Sequence, residues 1–120
     1  MKKKKLWIFA SLIILIVIII GSSYLNSMFT SKRWINNPDI RYRMIDDLEK
    51  NYSLIGKDKQ NIISLLGEPD VSWQHNFDNG HYVYFQYYIG SERELFEFMD
   101  ESHIYLIAFC NGYVVSTSVQ

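Results

Sequence analysis

Four lysines followed by an uncharged apolar run constrain this chain more than any other feature. The run reads LWIFASLIILIVIII over residues 6–20, and GSSYL extends it to residue 25. As a helix rising about 1.5 Å per residue, the extended run covers roughly 30 Å, the thickness of the hydrocarbon core of a bilayer. Trp7 and Tyr24 stand near its two ends, where amphipathic rings settle at membrane–water interfaces. Residues 1–25 are therefore predicted to form an N-terminal membrane anchor.

The lysines at positions 2–5 predict the orientation of this anchor, because positively charged flanks stay on the cytoplasmic side. Everything after residue 25 is then expected outside the cytoplasm, in a single-pass protein of the cell membrane. A cleaved signal peptide is the alternative, since Gly21, Ser22 and Ser23 are small enough for a signal-peptidase site. The retained anchor is favoured, because the apolar run lies at the upper end of the lengths found in signal peptides.

Composition restricts the function classes of the remaining chain. Residues 26–120 carry 8 basic and 13 acidic side chains, a net charge of −5. A nucleic-acid-binding domain needs a basic stripe, so no nucleic-acid partner is expected. Cys110 is the only cysteine, so an internal disulfide and a lipidated residue after the apolar run are not expected. Its predicted role is that of a small buried hydrophobe.

Residues 26–36 are predicted to be a polar juxtamembrane linker, and residues 37–120 a single domain that begins with a helix. Asn37 is a typical N-cap, and Pro38 suits the first helical position. Apolar side chains then recur every four residues, which predicts one buried stripe along the helix. They are Ile40, Met44, Leu48 and Tyr52.

The stretch GKDKQNIISLLGEP, residues 56–69, predicts a second, short helix. Asp58 is its expected N-cap, and Gly67 is expected just past its end in a left-handed conformation. Pro69 prevents the helix from continuing. A β-branched residue is therefore expected to be costly at Gly67 but tolerated at Gly90.

From residue 71 onwards the hydrophobic period changes to two, which is typical of β-strands. The predicted strands read VSWQHNF, HYVYFQYYI, HIYLIAF and YVVSTSV. Asn-Gly pairs at positions 79–80 and 111–112 predict tight hairpin turns. The expected registers place His75 opposite Tyr84, Phe109 opposite Val114, and Ile107 opposite Ser116. The acidic segment 91–102 is either a short helical turn or a strand extension. The predicted fold is α+β, with a transmembrane helix and two short helices packed on a three- to four-stranded antiparallel sheet.

Two short helices cannot cover both faces of such a sheet, so one face is expected to be exposed. Along the second strand, Tyr82, Tyr84 and Tyr88 alternate with a more apolar set, which comprises Val83, Phe85, Tyr87 and Ile89. The tyrosine face is predicted to be exposed and to bind a partner, since exposed aromatic surface often marks a docking site. The expected register of the hairpin favours the opposite face, because it sets Trp73 and Phe77 on the tyrosine side.

The stretch RYRMIDDLEKNYSLIGKDKQNIISLLGEPD, followed by YYIG and YLIAFCNGYVV, resembles the small outer-membrane assembly lipoprotein family (SmpA/OmlA, the BamE-like domain). The shared features are a helix before Gly56, a core reading IxxLLGxP from residue 62, and a closing strand–turn–strand. The resemblance covers residues 41–115. It implies an α-α-β-β-β layer and a non-enzymatic role in protein assembly or interaction at the cell envelope, with another envelope protein as partner. The chain departs from the family in lacking the cysteine of a lipoprotein signal.

Histidines and carboxylates supply the candidates for an enzymatic site. The only histidines are His75, His81 and His103, and the predicted hairpin directs the first two to opposite faces. Five carboxylates crowd the segment 91–102, where they predict a solvated acidic loop. They are Glu92, Glu94, Glu97, Asp100 and Glu101. We therefore predict no catalytic residue, cofactor or metal site, and a membrane-anchored protein-interaction module. The alternative is a small metal-dependent hydrolase that uses the histidines and the acidic loop.

Overall fold

The computed structural model describes residues 2–90 and 103–120, an α+β chain with a long apolar N-terminal helix and a four-stranded antiparallel sheet. The helices are α1 (Lys2–Ser27), α2 (Ser31–Asn36), a 3-10 helix (Pro38–Met44), α3 (Ile45–Tyr52) and α4 (Lys59–Leu66). The strands are β1 (Val71–Phe77), β2 (Gly80–Gly90), β3 (His103–Cys110) and β4 (Tyr113–Val119). The α+β class, the long N-terminal helix and the antiparallel sheet agree with the sequence prediction. The helix count differs, because α2, the 3-10 helix, α3 and α4 stand where two short helices are predicted. The prediction for the acidic segment falls on residues 91–102, outside the described ranges.

Within those ranges, α1 is the one helix that is long and apolar enough to cross a membrane. It has 26 residues, and none of them is buried in the rest of the chain. Membrane anchors and signal sequences share such length and composition. The helix is therefore compatible with either role.

The segment 26–36, predicted as a polar linker, holds α2 and two side chains of the core. Thr30 caps α2, because its hydroxyl accepts a hydrogen bond of 3.1 Å from the backbone N–H of Arg33. Phe29 is 2% exposed and Trp34 is 0% exposed, and their ring centroids lie 5.9 Å apart. Such burial of two large rings makes the segment part of the packed domain instead of a solvated linker.

Arg33 joins α2 to the C-terminal end of α1. Its guanidinium donates hydrogen bonds to the backbone carbonyls of Leu25 (2.6 Å), Asn26 (2.9 Å) and Met28 (2.9 Å). The last carbonyls of a helix lack partners within the helix and carry partial negative charge, which a cation stabilises. These three hydrogen bonds therefore fix the connection between α1 and the domain.

The helix predicted to begin at Asn37 divides into the 3-10 helix and α3, and the side chain of Asn37 makes no cap hydrogen bond. Met44 and Leu48 are fully buried, as the apolar stripe predicted, whereas Ile40 is half-buried and Tyr52 is 36% exposed. A 3-10 helix has about three residues per turn, so side chains four apart no longer lie above one another. Ile40, the first residue of the stripe, consequently lies at the edge of the core and not at its centre.

Arg41, on the 3-10 helix, is a buried charged residue that the stripe did not predict. Its guanidinium donates to the carbonyls of Trp34 (2.6 Å) and Tyr88 (3.0 Å), and lies 3.6 Å from the carboxylate of Asp70. Burial lowers the pKa of Arg41, and the negative charge of Asp70 offsets part of that shift. These contacts join α2, the 3-10 helix and the far end of β2.

The second predicted helix, α4, begins and ends where the sequence indicated. Asp58 Oδ1 accepts a hydrogen bond of 2.8 Å from the backbone N–H of Asn61. Gly67 follows the helix with a φ of +79° and a ψ of −179°. This region of backbone space is essentially restricted to glycine, although its ψ is extended and not left-handed.

The predicted tolerance of Gly90 to a β-branched residue is wrong. Gly90 has a φ of +79°, and a Cβ at this position would overlap the backbone carbonyl of Asp39. At Gly67, by comparison, a Cβ would meet only the side chain of Ile35, at 3.3 Å. The 3-10 helix approaches the end of β2 so closely that only a glycine fits between them.

The sheet has the strand order β1-β2-β3-β4, with antiparallel neighbours throughout. In the first hairpin His75 lies opposite Tyr82 instead of the predicted Tyr84. The loop consists of residues 78 and 79, because Gly80 already belongs to β2. The predicted turn required positive φ at positions 79 and 80, and of these two only Gly80 has it. A shift of two residues keeps every side chain on its predicted face.

The second hairpin agrees with the prediction near its turn and departs from it farther away. Asn111 and Gly112 form the loop, with φ values of +51° and +93°. The observed pairs are Phe109 with Val114, as predicted, and Ile107 with Thr117 instead of Ser116. A bulge between Ala108 and Phe109 adds one residue to β4 and so displaces the pairing beyond it.

The core lies between the helices and the inner faces of β2, β3 and β4. Its largest fully buried side chains are Trp34, Tyr87, Tyr105, Phe29, Phe109 and Met44. Both buried tyrosines have partners for their hydroxyls, which donate to the carbonyl of Gly67 (2.9 Å) and to the carboxylate of Glu49 (3.0 Å) respectively. All seven residues of β1 are exposed, so this strand extends the sheet beyond the core.

Candidate functional site

The two faces of β2 have opposite environments. Val83, Phe85, Tyr87 and Ile89 are all at most 5% exposed and face the helices. On the other face, Tyr82 and Tyr84 are half-buried and Tyr88 is 38% exposed. The structure thus places the three tyrosines of the predicted partner surface on the outer side of the sheet.

Five rings from β1 and β2 form a continuous row on this outer side, which we call the aromatic strip: Trp73, His75, Phe77, Tyr82 and Tyr84. Trp73 stacks on Tyr84 with centroids 5.2 Å apart, and Tyr82 stacks on Tyr84 at 6.3 Å. Phe77 meets the edge of Tyr82 at 5.4 Å and the ring of His75 at 4.3 Å. Each ring therefore holds its neighbour in place.

The register of the first hairpin builds the strip. Trp73 lies directly opposite Tyr84, and His75 lies directly opposite Tyr82. The side of β1 that faces the helix layer carries polar side chains instead, which are Ser72, Gln74 and Asn76. The large apolar side chains of β1 consequently point away from the core, and Trp73 and Phe77 are 42% and 51% exposed.

Tyr88 lies apart from the strip, and the structure does not bring it into ring contact with Tyr82 or Tyr84. Its backbone N–H donates to Asp70 Oδ2 at 2.7 Å, and its carbonyl accepts from Arg41. Arg41 and Asp70 therefore hold the backbone of Tyr88 near the C-terminal end of β2. Its ring extends the exposed aromatic surface along the strand.

The sequence reasoning missed Trp73 and Phe77 as surface residues. The signal was present in the alternation of β1, where every second residue from Val71 is apolar or aromatic. By itself this alternation favours burial of that face, because exposure of a tryptophan and a phenylalanine is unusual in a small domain.

Cys110 borders the strip on β3, where it pairs with Tyr82 in the register of the sheet. It is a free cysteine and half-buried, so its predicted burial is only partial. Interaction with the neighbouring Cys110 side chain is the main cause that raises the pKa of the Tyr82 hydroxyl above its ordinary value. Tyr82 also accepts a hydrogen bond of 3.2 Å from the amide of Asn79.

The three histidines lie in three different places. His75 is part of the aromatic strip, His81 lies on the opposite face with its Nδ1 against the Asn76 side chain, and His103 opens β3 beside Gly90. Among residues 2–90 and 103–120, no three His, Cys, Asp or Glu side chains are grouped closely enough to hold a metal ion. The predicted acidic loop falls outside these ranges.

Comparison with known proteins adds no relative: no family model, no curated protein and no solved structure matches this chain. Its candidate site is therefore defined by geometry alone. The geometry is a sheet face covered by aromatic rings that hold one another in place. Such a surface can exclude water from the contact when a partner protein binds to it.

Proposed function

We propose that this chain is a membrane-anchored protein-interaction module outside the cytoplasm, and that the aromatic strip with Tyr88 is its docking surface. It acts without catalysis, as an accessory or assembly factor of a complex in the cell envelope. The observation that carries the proposal is the exposed row of stacked rings on the side of the sheet that no described helix covers.

The chemistry of the strip suits protein binding. Tryptophan and tyrosine dominate the energetics of protein interfaces, because they offer large contact areas at a low cost in side-chain entropy. Stacking of Trp73, Tyr82 and Tyr84 in the unbound chain lowers that cost further. Among the described residues, the hydroxyls of Tyr84 and Tyr88 form no hydrogen bond, and they can form one with a partner at the edge of the contact.

The location in the envelope rests on α1 and on the resemblance to the outer-membrane assembly lipoproteins. A single apolar helix preceded by lysines suits an anchor with its N-terminus in the cytoplasm. The resemblance motivates the assembly role, because members of that family act through protein contacts. The absence of the lipoprotein cysteine favours attachment through α1 instead of a lipid.

Site-specific photo-crosslinking in native membranes tests the docking surface. A photoreactive amino acid at Phe77 should give one defined protein adduct, because this ring is exposed within the strip. The same probe at Ile55 is the matched control, since Ile55 is 61% exposed but lies between α3 and α4. Equal adducts from both positions would show that the contact is not confined to the strip.

A triple variant then separates binding from folding. Replacing Tyr82, Tyr84 and Tyr88 by serine should abolish the Phe77 adduct and leave the thermal unfolding transition cooperative. Ser72→Ala with Gln74→Ala, on the other side of β1, should retain the adduct. A triple variant that keeps full crosslinking would refute the tyrosine surface.

Substitution of the histidines distinguishes the proposed interaction module from the alternative, a metal-dependent hydrolase. Replacing His81 and His103 by glutamine, and His75 by phenylalanine so that the strip keeps a ring at this position, should preserve the partner adduct and the cellular phenotype. Loss of the phenotype in this variant, with the adduct intact, would favour the enzyme instead.

A further inference from the structure

A polar groove opens where α1 meets the domain. Its lining residues are Ser23, Asn26 and Ser27 from α1, Tyr42 and Arg43 from the 3-10 helix, and Asp46 from α3. The groove has a volume of about 440 Å³, within the range of small-molecule binding sites. The three α1 residues are spaced three and four apart, so they lie on one side of the helix.

The position of the groove along α1 sets its depth in a membrane. If residues 6–25 fill the hydrocarbon core, its outer boundary falls at Leu25. With a rise of about 1.5 Å per residue, Ser23 then lies roughly 3 Å inside this boundary and Ser27 roughly 3 Å beyond it. The groove therefore opens at the level of the lipid headgroups.

The groove presents one positive and one negative side chain to its contents. Arg43 is exposed, and it is oriented by a hydrogen bond of 3.0 Å from its Nε to the Tyr42 hydroxyl. Its guanidinium carbon lies 5.5 Å from the centroid of the Tyr42 ring. Asp46 is also exposed, and in the part of the chain that the structure describes it forms no ion pair with Arg43 within 4.0 Å.

We propose that this groove binds the headgroup of a zwitterionic phospholipid that carries a phosphate and a primary ammonium, the phosphoethanolamine class. Arg43 binds the phosphate through its guanidinium nitrogens. Asp46 accepts hydrogen bonds from the ammonium, with the hydroxyl of Ser27, on the water side of the boundary, as an additional acceptor. The inference rests on the proposed membrane anchor.

Other headgroups fit the same side chains less well. A purely anionic headgroup places uncompensated negative charge near Asp46. A choline headgroup has no N–H donor for the carboxylate, and the Tyr42 ring that would attract its quaternary ammonium already faces Arg43. The pairing of both charges in one groove therefore selects the primary amine.

Native mass spectrometry of the full chain, released from nanodiscs of equal parts phosphatidylethanolamine, phosphatidylglycerol and phosphatidylcholine, tests the inference. We expect phosphatidylethanolamine to be retained preferentially, with one molecule per chain. Arg43→Gln and Asp46→Asn should each reduce this preference about tenfold, the effect of losing one charge-assisted contact. Lys32→Gln is the matched control, because Lys32 is exposed on α2 and does not line the groove, and it should retain the preference.

Equal retention of the three lipids, preferential retention of phosphatidylglycerol, or an unchanged preference in Arg43→Gln and Asp46→Asn would overturn the inference. Failure of the proposed function has different signatures. A chain that is extracted from membranes at alkaline pH is not anchored by α1. A chain that retains phosphatidylethanolamine but gives no adduct from Phe77 has the lipid site without the docking surface.

Discussion

Three glycines with similar positive φ values but different surroundings offer a series of variants at the residue scale. Gly56, Gly67 and Gly90 have φ values of +87°, +79° and +79°. A Cβ would point into open space at Gly56, meet the flexible Ile35 side chain at Gly67, and overlap the backbone of Asp39 at Gly90. An alanine is therefore strained at all three positions, and the steric cost of its Cβ rises along the series.

We predict that Gly56→Ala lowers the free energy of unfolding by about 1 kcal/mol, the strain of a left-handed residue. Gly90→Ala should lower it by a further 1–3 kcal/mol or so, because the 3-10 helix must move away from β2. Gly67→Ala should fall between them. Urea unfolding of the full chain in detergent measures the order, and an equal loss at all three positions would show that the contact with Asp39 is not tight.

The two buried tyrosines predict an alkaline limit to stability. Burial is the main cause that raises the pKa of both Tyr87 and Tyr105 above the ordinary value of about 10. The unfolded chain therefore loses these protons first, so the stabilisation is complete below about pH 10 and decreases as the pH rises further.

We expect Tyr87→Phe and Tyr105→Phe each to make the free energy of unfolding less dependent on pH between about 10 and 11.5. The measurement is urea unfolding at several pH values, with Tyr113→Phe as control, since Tyr113 is 58% exposed. An unchanged slope in Tyr87→Phe and Tyr105→Phe would show that neither hydroxyl is desolvated as the structure indicates.

At the scale of elements, the short helix α2 contributes more to the core than its six residues suggest. Trp34 is 0% exposed, meets the edges of Tyr87 and Tyr105 at 6.0 and 6.2 Å, and lies under the Arg41 guanidinium at 5.1 Å. These contacts connect the segment after α1 to two strands and the 3-10 helix.

Trp34→Ala should therefore lower the free energy of unfolding by about 3–5 kcal/mol, as expected for a buried tryptophan. Ile35→Ala, at the neighbouring position, should cost no more than about 1 kcal/mol, because Ile35 is 46% exposed. Equal unfolding midpoints for the two variants would mean that the segment 26–36 behaves as the linker that its composition predicted.

For the whole molecule, the hydrogen bonds of Arg33 to the end of α1 couple the orientation of the domain to that of the helix. The chain measures 78 Å along its longest axis, and the 26 residues of α1 form a helix roughly 39 Å long. An anchor with its N-terminus in the cytoplasm would hold the domain against the external surface of the cell membrane.

We predict that a single cysteine at Gln60, in a Cys110→Ser background, reacts with an impermeant maleimide added to intact cells. A single cysteine at Lys3 should react only after lysis. Labelling of Lys3 from outside would reverse the topology, and a mature protein that begins near Tyr24 would establish cleavage of a signal peptide.

The sequence by itself determined the features that depend on neighbouring residues. The length of α1 follows from an uninterrupted apolar run, the bounds of α4 from Asp58 and Gly67, and the second turn from Asn111-Gly112. Each of these signals acts over a few residues and needs no distant partner to take effect.

Only the tertiary structure decided which surfaces of these elements pack against one another. The alternation of β1 is the same whether Trp73 is buried or exposed, and the choice depends on which side of the sheet the helices cover. Trp34 reads as an isolated aromatic in a polar stretch, because its partners on β2 and β3 lie more than fifty residues away. The ring of Phe29 contacts Tyr52, which lies in α3. Gly90 looked replaceable because Asp39, which crowds it, is also more than fifty residues away in the chain. Burial is a property of pairs of surfaces, and a sequence pattern specifies only one member of each pair.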